Sequence, residues 1–305
     1  MFRVTFWGVR GSYPVPSREV LAYGGNTTCV TVELAAASEL DGALVILDAG
    51  TGLINLGRTL ATDDAEPLTA TLLFTHTHHD HLEGLPFFKP AYKASTQLYI
   101  FGPKSLSLDL KEILTHEMLP PYFPVTLEEM ASTKTIADVS ELDSIVLDIA
   151  TRVPHVIRND AAPPQPTDGT ATISISRGTN HPGGGIFNYA IAYKGKRVVF
   201  ATDVEGSPEA NARLIEFARG ADLLIHDSQY LDDEYNGPSS NKQGWGHSTV
   251  SMAVAVAKGA AVRELILFHH DPEHDDETVA RIEAIAKKDF PNCRAAAEGL
   301  AIELD

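Results

Sequence analysis

The chain has 305 residues, 44% hydrophobic and 21% charged, enough to bury a substantial core in one large domain spanning residues 1–305. Its 41 acidic against 24 basic side chains give a formal charge of -17, which argues against a surface that tracks a long nucleic acid and favours small or short substrates. Its two cysteines, Cys29 and Cys293, sit in apolar or strand-like contexts and read as reduced thiols in a cytoplasmic setting, not as a disulfide framework.

Residues 2–7 alternate apolar and polar and read as a first strand entered at once, so neither a signal peptide nor a membrane span is expected. The loops 8–12 and 23–28 read first as hairpin chemistry, with Ser12 and Asn26 as weak candidates for supporting a site. Residues 29–34 and 43–47 read as strands, the second a continuous apolar run that ends at Asp48, before a helix over 53–60. An aspartate there can cap the helix or orient a neighbouring histidine.

The stretch 71–88 reads TLLFTHTHHDHLEGLPFF, an apolar strand that delivers His76, His78, Asp80 and His81 onto a turn. Two histidines two apart at a strand end can pinch one ion, and Asp80 with His81 can begin a second site. Imidazole and carboxylate together suit zinc, with manganese or iron as alternatives. His79, inside the cluster, is given no role.

Further strands are expected over 97–101, 145–153 and 171–176, and a helix over 106–118. The stiff segment 120–124 ends that helix and reads as an ordinary connection or as a lid over a substrate. Residues 161–169 are the candidate flexible excursion, too short to mark a domain boundary. His116 and His155, without partners at metal spacing, read as surface or core histidines.

His181 stands at a strand end before three glycines, and the hairpin 187–201 ends in Thr202-Asp203. A helix follows from Ser207 to about Arg219, then a strand ending in His226-Asp227-Ser228. The run Gly244-Trp245-Gly246-His247-Ser248-Thr249 opens another helix, and a buried strand at 265–268 delivers His269 and His270. Asp276 caps a last helix over 277–290, and 300–304 closes as a strand. The plainer alternative for His247 is a residue at a helix N-terminus that only caps or faces solvent.

The His-x-His-x-Asp-His run, followed by His181, Asp203 and His269, resembles the metal-binding motifs of the metallo-β-lactamase-fold hydrolases across nearly the whole chain. The pairing of His226-Asp227 with Gly-His-Ser-Thr is similar to the branch containing ribonuclease Z and the phosphoribosyl cyclic phosphate phosphodiesterase, with Asp227 where ribonuclease Z has glutamate. The resemblance implies an α/β, four-layer αββα sandwich of two mixed sheets. It implies two divalent metal ions, one held by His76, His78 and His181, the other by Asp80, His81 and His269, with Asp203 bridging. It also favours Asp48 as an orienting partner; His226 and His270 read as structural or loop residues.

Two such ions, roughly 3.5 Å apart, would share an acidified water and clamp an in-line displacement at phosphorus. The expected activity is therefore a phosphodiesterase acting on a small or cyclic phosphodiester or a nucleotide, with Asp80 orienting the hydroxide and Asp227 holding a protonated His247 as acid. The enzymatic alternative is a glyoxalase II-like thioester hydrolase, against which stand the Gly-His-Ser-Thr run and the short tail after His269. The other alternative is a non-catalytic metal-binding or sensor protein. A transfer-RNA role is disfavoured, because ribonuclease Z projects a basic, glycine-rich arm that this acidic chain lacks. A homodimer is left open.

Overall fold

Alternate side chains of the first strand point to opposite faces, and β1 (Phe2–Gly8) accordingly buries Phe2, Val4 and Phe6 while its other face is half-exposed. The computed structural model describes residues 1–35, 42–61, 67–104, 107–158, 165–237 and 241–304. With β1, the strands β2 (Cys29–Ala35), β3 (Gly42–Leu47), β4 (Thr69–Leu73), β5 (Gln97–Pro103), β6 (Thr133–Val139) and β15 (Ala301–Glu303) form a seven-stranded sheet. Its order is β15-β1-β2-β3-β4-β5-β6.

The second sheet has eight strands. They are β7 (Ser144–Asp148), β8 (Pro154–Ile157), β9 (Thr170–Gly178), β10 (Ile186–Tyr193), β11 (Lys196–Ala201), β12 (Leu223–Asp227), β13 (Glu264–Phe268) and β14 (Cys293–Ala295). The order is β14-β13-β12-β11-β10-β9-β7-β8.

The sheets pack face to face through one apolar layer that includes Phe6, Val32, Leu47, Ile173, Tyr189, Phe200 and Phe268. Each fully buried large side chain there contributes about 1.5–3 kcal/mol. Helices cover the outer faces. On the first sheet, α1 (Gly52–Leu60), the short α2 (His79–Leu82) and α3 (Leu110–Glu117) press Leu53, Leu56, Leu82 and Leu114 onto Ile46, Leu72 and Ile100. On the second, α4 (Pro208–Ala218), α6 (Val250–Ala260) and α7 (Asp276–Asp289) press Leu214, Val254 and Ile282 into a cluster with Val199, Leu224 and Leu265. The short α5 (Asp232–Tyr235) precedes α6. This is the expected four-layer αββα arrangement.

Strand direction decides where the chemistry collects. β3 to β6 are mutually parallel, and so are β11 to β14. β9 is antiparallel to β10, which is antiparallel to β11, so β9 runs with β11. The loops that follow β3, β4, β9, β11, β12 and β13 therefore leave by corresponding edges, where functional groups of such sheets gather.

Three predicted elements differ. The strand expected over 145–153 is broken into the hairpin β7–β8, because the chain turns at 149–153 with Arg152 at a φ of 62°. The helix expected from 106 starts at Leu110, where Asp109 accepts from the Glu112 amide and the Glu112 side chain accepts from the Asp109 amide. The last helix is capped one residue early, by Asp275 accepting from the Thr278 amide. Residues 161–164 of the expected excursion lie outside the described residues. Both cysteines are free and buried, and among the described residues no helix is long and apolar enough to cross a membrane.

Candidate metal centre

Six strand ends bring the residues singled out in the sequence into one cluster. The loop after β4 carries His76 and His78, and α2 opens on His79 so that Asp80 and His81 turn inward while the His79 side chain stays 82% exposed. β9 is followed by His181, β11 by Asp203 and β13 by His269. Asp48, Asp203 and His269 all have left-handed backbones, at φ of 59°, 55° and 62°. Each such residue without a glycine costs about 1–2 kcal/mol, a strain that folds accept where it aims a functional group.

The candidate ligand atoms of His76, His78 and His181 lie within 4.8 Å of one another, and so do those of Asp80, His81, Asp203 and His269. Asp203 joins the two groups. Its Oδ2 lies 3.8 Å from Nε2 of both His76 and His181, and its Oδ1 lies 3.2 Å from Nε2 of both His81 and His269. Asp203 is 1% exposed and His269 fully buried, whereas His78 sits at the exposed rim.

A surrounding layer fixes the rings. Nδ1 of His81 is 2.9 Å from Asp48 Oδ2, and Asp48 also accepts from the Thr75 amide and hydroxyl at 2.7 and 2.9 Å. Nδ1 of His269 is 3.0 Å from the Gln229 side-chain oxygen, and Nδ1 of His181 is 3.1 Å from the Gly246 carbonyl. Asp80 Oδ2 accepts from the Ser12 amide at 2.8 Å, so Ser12 contributes backbone and not hydroxyl. Asn26 instead binds Glu298, away from the cluster. Ligating histidines need their second nitrogen engaged in this way, because that contact selects the tautomer that leaves Nε2 free.

The donor set fits divalent cations on two counts. Among the described residues, Nε2 of His76 and of His81 are buried without a hydrogen-bond partner, even though His81 Nε2 lies within 3.2 Å of two carboxylates. The charges also need a counterweight, since Asp48, Asp80, Asp203 and Asp227 are all buried together. Burial pushes Asp80 and Asp203 up, but neighbouring imidazoles, His81 for Asp80 and His269 and His81 for Asp203, hold both well below the usual carboxylate range. Burial likewise pushes His76 and His181 down, toward the neutral form that ligates. His81 goes up despite its burial, since Asp203, Asp80 and Asp48 all face it; a divalent ion would supply that positive charge.

His247 lies at the edge of this cluster. Its Nδ1 is 2.8 Å from Asp227 Oδ2, its ring stacks on His269 at 5.0 Å, and it meets His181 edge-on at 5.4 Å. Burial alone would lower its pKa, but Asp227, then Asp203 and Asp80, raise it to about 9. His226 turns the other way, with Nδ1 2.6 Å from the Asp227 carbonyl. His270 is fully buried against the Ala296 carbonyl at 2.9 Å. A cleft of about 760 Å³ opens beside His76 and His78, with Lys104, Arg177 and Gly183 on its walls. Residues 120–124 do not line it; Phe123 packs edge-on against Phe87 at 5.4 Å.

Sequence reasoning missed Gln229 and Glu205. Glu205, 9% exposed, accepts from the amides of Gly244 and Gly246 at 2.7 and 2.9 Å and from the Tyr235 hydroxyl at 2.5 Å. It thereby holds the loop whose Gly246 carbonyl faces His181. Gly246 itself has no alternative, since its φ is 92° and a Cβ would lie 2.2 Å from His181 Nδ1. Neither residue carries a motif signal; Gln229 is marked only by following Asp227-Ser228.

Residues 44–270 match the profile described as Beta-lactamase superfamily domain. The chain is 26% identical to a ribonuclease Z of Pyrococcus abyssi, over 90% of this chain and 88% of that one. Among solved structures, the metallo-beta-lactamase fold protein YhfI from Bacillus subtilis aligns over 99% of both chains with a TM-score of 0.65 at 18% identity. The short form of human tRNase Z aligns over 99% of both chains with a TM-score of 0.62 at 18% identity. These names overturn the expectation that a long nucleic acid is an unlikely substrate, since similar proteins are named for RNA and tRNA. Net charge sums the whole surface, whereas among the described residues this cleft is lined by Lys104 and Arg177 against one carboxylate, Glu141.

Proposed function

The chain belongs to the beta-lactamase superfamily, and from that premise we propose that it is a metal-dependent hydrolase of phosphodiesters. The observation that carries the reading is the pairing of the two-part cluster joined by Asp203 with the buried Asp227–His247 couple at its edge. His76, His78 and His181 would hold one divalent ion and Asp80, His81 and His269 the other, with Asp203 reaching both. Zinc is the first choice for such a set, manganese or iron the alternatives. When bound, the ions supply Lewis acidity toward phosphoryl oxygens and a water acidic enough to attack near neutral pH.

The chain's own groups provide the rest. Asp80, held ionised by neighbouring imidazoles and fixed by the Ser12 amide, would accept a hydrogen bond from the attacking water and orient it, a role these contacts support. Asp227 engages Nδ1 of His247, which leaves Nε2 as the nitrogen that donates a proton to the departing oxygen. In its protonated form His247 also adds positive charge beside the phosphoryl group. The pairing of β1 with β15 ties both ends into one sheet, which supports treating residues 1–305 as one catalytic unit. The two buried free thiols fit a cytoplasmic setting.

The test uses protein stripped of metal and reloaded with zinc or manganese. It compares bis-p-nitrophenyl phosphate as a small diester, a short RNA, and the thioester lactoylglutathione, with His247→Ala as control. Diester cleavage that requires metal and falls sharply in the variant supports the assignment, and the ratio of small diester to RNA turnover then defines the substrate class. Thioester cleavage alone, indifferent to His247, would replace it with a thioester hydrolase.

A further inference from the structure

Trp245 is 56% exposed although it stands two residues before His247. An indole left in water forgoes one of the largest apolar burials a side chain offers. The surrounding loop does not let it fold inward. One carboxylate, that of Glu205, takes the Gly244 amide on Oε1 and the Gly246 amide on Oε2, so the residue between them is held in place.

The indole is also joined to the proposed acid by a continuous series of contacts. Lys242 Nζ lies 4.2 Å from the Trp245 ring centroid and 5.4 Å from that of Tyr230. The buried Tyr230 ring in turn meets His247 edge-on at 6.0 Å. Gly246, next to Trp245, packs against His181 and Pro182, and Pro182 lines the large cleft. A loop-held indole, 56% exposed, with an ammonium group over its ring and two residues from the proposed acid, offers the stacking and cationic contacts that receive a nucleobase with its attached phosphate.

We propose that Trp245 and Lys242 form a subsite for the nucleoside on the leaving-group side, where the base stacks on the indole, so that the substrates are nucleotidyl phosphodiesters. The inference rests on the phosphodiesterase reading and names its substrate class.

Tryptophan emission tests it directly, because the only other tryptophan, Trp7, is bonded to Thr31 Oγ1 at 2.9 Å. The full chain, zinc-loaded and separately after chelation, is titrated with adenosine 5′-monophosphate, with ribose 5-phosphate as the ligand that lacks a base. Adenosine 5′-monophosphate should quench the emission and ribose 5-phosphate should not. The quench should vanish in Trp245→Ala and need several-fold more ligand in Lys242→Ala. With the dinucleotide ApA as substrate, Trp245→Ala should raise KM about tenfold, the size of one lost base stack, with the loss falling on KM and not kcat. Trp245→Phe should recover most of it.

A quench that persists in Trp245→Ala, or an unchanged KM, overturns the subsite. If Trp245→Ala turns a dimer into a monomer in sedimentation without altering the response to nucleotide, the indole belongs to a contact between copies and the subsite is overturned as well. If bis-p-nitrophenyl phosphate is cleaved but ApA is not, the nucleotidyl substrate class is overturned; if neither is cleaved while the quench still depends on Trp245, the phosphodiesterase reading fails and the base subsite stands.

Discussion

Nδ1 of His247 lies 2.8 Å from Oδ2 of Asp227, a fully buried carboxylate whose other oxygen accepts from the amides of Gln229 and Ser248 at 3.0 and 3.1 Å. The carboxylate is thus fixed by backbone before it fixes the imidazole. The imidazole is thereby held in one orientation at the edge of the cluster, stacked on His269, as the proposed general acid requires.

The proposed role of this couple predicts a basic limb in the pH profile. With protonated His247 as the proposed acid, and, despite burial, Asp227 pushing its pKa up to about 9, kcat/KM is expected to hold through neutrality and fall with rising pH through about 9. Asp227→Asn should move the limb down toward histidine's ordinary value of about 6.5, and His247→Ala should lower kcat by roughly 10²–10⁴. A basic limb left in place by Asp227→Asn would refute the role given to the pair.

Removing the Glu205 carboxylate should damage stability and metal affinity together. Glu205→Ala leaves the Gly244 and Gly246 amides and the Tyr235 hydroxyl without their acceptor. Unsatisfied buried donors cost about 1–3 kcal/mol each, and the Gly246 amide and Tyr235 hydroxyl are the buried ones, so a loss on the order of 2–6 kcal/mol is expected in urea unfolding. Zinc titration should show weaker binding too, because the Gly246 carbonyl that faces His181 is released. Unaltered zinc affinity would separate the loop from the centre.

Acid should destabilise the protein before its carboxylates titrate. Burial holds His270 at about 3 and His226 below its ordinary value, and both are neutral in the fold. Below about pH 6.5 the unfolded chain binds protons that the folded one does not, so stability falls as pH falls, by up to about 1.4 kcal/mol per pH unit for each such histidine. Urea unfolding at pH 7.5 and 5.5 would measure the slope, and His270→Asn should flatten it. A slope unchanged by that substitution would mean that His270 does not carry its share.

Metal should stabilise the fold. A divalent ion at a hundredfold excess over its Kd adds about 2.7 kcal/mol, read as a Tm that rises with added zinc and falls with chelator. His76→Ala and His269→Ala, one from each half of the cluster, should each remove part of that rise, and Asp203→Ala, whose oxygens face both halves, should remove most of it. A Tm indifferent to zinc in the unaltered chain would remove the metal centre.

Features that depend on neighbours along the chain were legible in advance. The strand periods of β1, β2 and β13, the hairpin β10–β11, the cap at Ser207 and the dense run from His76 to His81 are local patterns, and local sterics and spacing decide them. The break in the strand expected over 145–153 was not, because an apolar run looks the same whether it continues or turns back. Contacts between distant segments were not legible from spacing; the resemblance implied the meeting of Asp80 and His269, and only the tertiary structure brought Glu205 to Gly246. Asp80 and His269 meet across 189 residues, and Glu205 reaches Gly246 across 41. Glutamate and glutamine have no fixed spacing for such work, so Glu205 and Gln229 carry no sequence mark. Net charge misled for the same reason, since a sum over residues discards position, and only folding decides which charges face the cleft.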